Sequence, residues 1–120
     1  MDKARIVRVC DLFMESFKEG QYLNAFELFR KNTILSAGAI DTLQATVEGQ
    51  IKNYFPSYGN MRSYTFLVEK KIKDFLFRRI YILHFDYYFL KFEFTAYKTA
   101  NGWKLTGVNY NGEITDLLTD

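Results

Sequence analysis

The hydrophobic period of the chain changes once, near Gly59. Upstream, Ile6, Val9, Cys10, Phe13 and Phe17 recur at intervals of three and four, the spacing that lines one face of an α-helix. Asp2 stands where an N-cap belongs and Gly20 where a helix stops, so residues 4–18 read as a first helix. A second fits 22–30, burying Leu23, Phe26 and either Phe29 or Leu28. A third runs from about 39 to 54, with Ile40, Leu43, Val47, Ile51 and Tyr54 on one side, and Pro56 and Gly59 end it.

Downstream, β-rich runs alternate with short polar breaks, which predicts strands near 63–72, 75–85, 88–98 and 103–111. The breaks are Lys73-Asp74, Asp86-Tyr87 and the stretch ending in Asn101-Gly102, the last a strong hairpin turn. Helices first and a strand meander afterwards mean α+β. The expectation is one domain over 1–120, with three N-terminal helices packed on a curved four-stranded antiparallel sheet.

Alternation across the strands assigns the faces. Leu90, Phe92, Phe94 and Ala96 form the core face of the third strand. Pairing Lys98 with Trp103 sets Ala96 against Leu105, Phe94 against Gly107 and Phe92 against Asn109. Two-residue turns at the other breaks add Phe77, Arg79, Tyr81 and Leu83, then Tyr64, Phe66 and Val68. Arg79 and Asn109 are polar exceptions on this apolar surface, with Tyr64 and Tyr81 nearby. A one-residue shift at the Asp86 turn brings Arg78 inward instead. A buried guanidinium needs a carboxylate, carbonyls, water or a ligand. The opposite face carries Ile80, Ile82, His84, Tyr97, Val108 and Tyr110, apolar enough to predict cover by a second subunit.

Composition narrows the function. Aromatic residues make up 18% of the chain, concentrated in the strands, while a net charge of +2 gives no field for nucleic acid or an anionic membrane. Cys10 is the sole cysteine, which excludes an internal disulfide, and one histidine beside it makes no metal site. The sequence has no phosphate-cradling glycine loop, no nucleophile elbow and no zinc-protease motif. There is no apolar signal core or membrane-span run, so the expected compartment is the cytoplasm if Met1 is the natural start. Removal of an export signal would make it periplasmic or secreted.

The segment PSYGNMRSYTFLVEKKIKDFLFRRIYILHFDYYFLKFEFTAYKTANGWKLTGVNYNGEITDLL resembles the C-terminal half of the nuclear transport factor 2-like superfamily, a cystatin-like cone, and small bacterial members in particular. The likeness rests on Pro56 and Gly59 after a helix, the strands RRIYILHF and FEFTAYK, and the closing strand NGWKLTGVNYN with Trp103 after its turn. It implies a curved sheet wrapped on helices, often with a pocket, and dimers packed sheet to sheet. Members include isomerases, dehydratases, polyketide cyclases and non-enzymatic binding domains, and fold does not choose among them.

The enzymes of that superfamily need an acid or base in the cone, whereas the inner face predicted here holds no carboxylate and no histidine. Asp11, Glu15, Glu27, Asp41 and Glu48 fall mostly outward on the helices, and His84 falls on the outer face. The expected function is therefore a non-catalytic dimeric domain without cofactor or metal. Its concave pocket of Arg79, Tyr81, Asn109, Tyr64 and Trp103 would take a small anionic or carbonyl-bearing ligand. The alternative is an isomerase or lyase using the same pocket.

Overall fold

The computed structural model describes residues 2–112. Helix α1 (Lys3–Lys18) starts at Asp2, whose carboxylate accepts from the Arg5 amide, and ends before Gly20 at φ +79°. Its predicted stripe is buried in full, joined by Met14. Helix α2 (Tyr22–Arg30) buries Ala25, Phe26 and Phe29, while Leu23, expected inside, is 66% exposed. Helix α3 (Ala37–Asn53) begins two residues earlier than its apolar stripe implied, because Ser36 caps it through the Ala39 amide. A one-turn helix, α4 (Phe55–Tyr58), follows with Pro56 in its first turn and Gly59 at φ +89° beyond it. Among the described residues the helix count is thus four rather than three.

Strands β1 (Met61–Ile72), β2 (Leu76–Phe85), β3 (Phe89–Thr99) and β4 (Gly102–Asn111) form one antiparallel sheet in sequence order. The helices pack on one face, giving the predicted α+β architecture. Its core is aromatic: Phe13 of α1 lies 5.1 Å from Phe94, and Phe17 lies 5.2 Å from Phe92, both edge-on. Edge-to-face packing suits the ring quadrupoles and adds to the burial of the rings themselves.

The β2–β3 register matches the sequence reading, with Arg79 opposite Phe94 and Tyr81 opposite Phe92. The outer hairpins depart from it, the first at its turn and the second at a bulge. The first turn spans Lys73–Phe75 rather than two residues, so Ile72 pairs with Leu76 and Glu69 with Arg79. A bulge at Leu67 then restores the expected pairing of Phe66 with Tyr81 and Tyr64 with Leu83. Between turn and bulge, each residue of β1 lies on the face opposite to the one predicted.

On the other side, Lys98 pairs with Trp103 and Ala96 with Leu105 as expected. An extra residue at Thr106 then sets Thr95 opposite Gly107, Phe94 opposite Val108 and Phe92 opposite Tyr110. The edge of β4 is partly covered by the α2–α3 connection, where the Leu105 amide donates to the Asn32 carbonyl and the Ile34 amide to the Leu105 carbonyl.

Candidate functional site

Arg79 faces the helices, and Arg78 faces away, pairing with Glu93 at 3.4 Å. The Arg79 side chain is 12% exposed, so its charge needs partners, and the fold supplies them from three elements. Its Nε donates to the Tyr81 hydroxyl at 2.9 Å, and Nη1 donates to Glu69 Oε1 at 2.9 Å. Nη2 lies 3.6 Å from Asp11 Oδ1. The guanidinium also stacks over Phe66, 4.1 Å from the ring centroid. Tyr81 in turn donates to Asp11 Oδ1, and Glu69 accepts from Lys3 Nζ at 2.7 Å.

Two cations, two carboxylates and one phenol thus form a single connected network. Desolvation pulls the Arg79 pKa down, but the bonds to Tyr81 and Glu69 outweigh it and hold the guanidinium charged. Desolvation likewise pushes Glu69 up, yet Lys3 and Arg79 together leave it below the ordinary carboxylate value. Burial, reinforced by the hydrogen bond to Asp11, raises the Tyr81 phenol well above its usual range. A phenol so held is a poor base and a poor proton donor near neutral pH.

The remaining predicted pocket residues scatter. Tyr64 is half-buried at the rim, and its phenol is raised first by desolvation and then by the charges of Glu15 and Asp11. Asn109 is an error of register: it pairs with Glu93, is exposed, and belongs to the outer face. Trp103 packs against Phe77 with ring centroids 5.1 Å apart. Both rings line a recess of about 240 Å³ beside the β1–β2 turn.

The same bulge corrects the predicted dimer face. Val108 and Tyr110 turn inward and pack on the core, where the Tyr110 ring stacks on Phe92 at 5.4 Å. Ile80 does lie on the outer face but is 1% exposed within the single chain. Ile82 and His84 are half-buried there, with His84 Nε2 and the Thr65 hydroxyl 2.8 Å apart. Tyr97 is exposed.

Comparison with known proteins identifies no relative. No family model matches, and neither a curated protein nor a solved structure matches.

Glu69 and Asp11 are site residues that sequence reasoning left outside the pocket. Strict alternation puts Glu69 outside, and only the three-residue turn brings it in. Asp11 follows Cys10 at the border of the α1 stripe, close enough for its carboxylate to reach Tyr81. Cys10 itself is buried and its thiol is pushed up to about 12, mainly by desolvation, so it is a packing residue rather than a nucleophile. Among the described residues no group of side chains suits a metal ion, and no helix is long and apolar enough to cross a membrane.

Proposed function

We propose that this chain is a non-catalytic domain that works by binding, as a homodimer joined through the outer face of its sheet. One observation carries the non-catalytic part: each nitrogen of the Arg79 guanidinium already faces a protein partner. An anionic or carbonyl-bearing ligand entering the concave face would have to displace Glu69 or Asp11 from it. The network is therefore read as the internal neutralisation of a charge that the core cannot otherwise hold. The order of helices and strands supports kinship with the nuclear transport factor 2-like superfamily, whose dimers pack sheet to sheet.

The dimer reading is supported by apolar side chains left on the outer face. Leu67 of β1 and Tyr97 of β3 are 43% and 44% exposed, and Ile82 of the intervening strand β2 is half-buried. Sedimentation of wild type and Ile82→Asp tests it. The expected result is a dimer that becomes a folded monomer, with unchanged circular dichroism. A wild type that sediments as a monomer at high concentration removes the proposal.

A second reading, an isomerase or lyase, is favoured by one feature, the contact of Asp11 with the Tyr81 hydroxyl. Asp11 is 47% exposed, so solvent reaches that carboxylate. Against this reading, the hydroxyl is engaged on both sides, donating to Asp11 and accepting from Arg79.

A further inference from the structure

We propose that α3 is a lid that melts off the core as a unit while the rest of the fold stays in place. The contrast with α1 is one of burial: α1 buries six of its sixteen residues, α3 only Ile40 and Val47 of its seventeen. Leu43 and Ile51 are partly buried beside the core. The polar link to α2 is Arg30, which meets Asp41 Oδ1 at 2.7 Å and Gln44 Oε1 at 3.1 Å, with the Asp41 side chain 70% exposed. An ion pair so open to water contributes little. Few buried apolar side chains and a solvent-facing backbone mark a segment that opens below the global stability.

The helix is also weak by composition. Gly49 lies in its interior, where glycine lowers helix stability, and a Cβ there would meet no atom within 4 Å. The glycine is thus not kept for want of space. Thr42 and Thr46 turn their hydroxyls back to the Gly38 and Thr42 carbonyls, an arrangement that slightly weakens a helix. Lifted from its seat, a helix of seventeen residues with these features does not hold in water.

What confines the opening to α3 is that both of its flanks are pinned to the sheet. Before it, the Asn32 carbonyl accepts from the Leu105 amide, and the Ile34 amide and Thr33 hydroxyl donate to the Leu105 carbonyl. After it, Phe55 is buried edge-on against Phe85 at 5.1 Å, and the Tyr58 carbonyl accepts from the Tyr87 amide at 2.9 Å. The chain leaves and rejoins the folded body at fixed points, and only the helix between them is loosely held. Opening withdraws Ile40 and Val47 from the core and lets water in at their places. The lid is independent of the dimer reading, because the helices pack on the opposite face of the sheet.

Hydrogen exchange of the full chain, read amide by amide under rising denaturant, tests the lid. The α3 amides should share one opening, with lower protection and a shallower denaturant dependence than the β2 and β3 amides. Gly49→Ala should slow α3 exchange about fivefold, the equivalent of ~1 kcal/mol of helix preference. Ile80→Val, at a residue 1% exposed on the outer face, should speed the β2 and β3 amides several-fold and leave α3 unchanged. One protection level and one denaturant slope for α3 and the strands overturn the proposal, because α3 would then open only with the whole molecule. Ile80→Val speeding α3 as much as the strands overturns it for the same reason. Amides of α3 that exchange without any denaturant dependence would be fraying singly, which is no lid. A Gly49→Ala protein whose α3 exchanges as wild type does would also overturn it, since the helix would then not melt as it leaves.

Discussion

Arg79 and the Lys71–Lys73 pair lie a few residues apart on neighbouring strands, both beside aromatic rings, yet they meet opposite fates. Arg79 points into the helix–sheet interface, where its charge cannot survive unpartnered, and two carboxylates and a phenol converge on it. Lys71 and Lys73 stand in solvent, where hydration satisfies the ammonium groups and no internal partner is required. Burial therefore decides which cations need partners inside the fold and which are satisfied by water. A charged residue on a core face is weak evidence for a binding site until its internal partners have been identified. The comparison can be broken from either side.

The largest effect should come from removing one member of the buried pair. Glu69→Leu leaves Arg79 held only by Tyr81 and the longer contact to Asp11, and it frees Lys3. Breaking a buried pair on one side costs roughly 3–5 kcal/mol. Because Glu69 and Arg79 keep 18% and 12% of their side-chain surface, the lower end is expected. Replacing both together, as Glu69→Leu with Arg79→Met, should recover most of that loss, since the uncompensated charge disappears with its partner. Denaturant unfolding of the two single variants and the double variant measures the coupling directly. Additive losses would mean that the network does not act as a unit.

Tyr81→Phe should be smaller, about 1–2 kcal/mol, because it removes one hydroxyl from between Arg79 and Asp11 without removing a charge. Thermal or denaturant unfolding reads it, and the ring contact with Phe94 at 5.6 Å should persist. A neutral result would show that solvent replaces the hydroxyl for both neighbours, and the site would then be more open than its packing implies.

Most of the fold was legible because it rests on period. The α1 stripe, the β2–β3 register and the pairing of Lys98 with Trp103 at the last hairpin each follow from local spacing that nothing in the tertiary structure overrides. The candidate site was less legible because it depends on parity. One extra residue at the first turn, and one more at Leu67, decide whether Val68 or Glu69 faces Arg79. The bulge at Thr106 likewise exchanges Asn109 for Val108 and Tyr110 on the core face. No residue near Leu67 announces its bulge, because the local sequence remains strand-like through it, whereas Gly107 beside Thr106 is the isolated strand glycine that marks a bulge. The burial of the faces selects the register, and the choice follows physical sense, since it gives Arg79 a carboxylate and moves an asparagine out to water.

The smallest effect is the dependence of stability on acid. Glu69 titrates below its ordinary value in the folded protein, because Lys3 and Arg79 outweigh the desolvation that opposes them. A depressed carboxylate stabilises the fold above the unfolded-state pKa of about 4.3, and that contribution is lost as pH falls through the lower folded value. Between those two values the unfolded chain binds more protons than the folded one, so stability must rise with pH across the window. Glu69→Gln cannot titrate, and its curve of unfolding free energy against pH should be flatter there than that of wild type by at most one proton. Carboxylates outside the network contribute equally to both curves, so the difference between them isolates the network around Arg79. Parallel curves would place Glu69 outside the charge network, and the internal neutralisation of Arg79 would then rest on Asp11 alone.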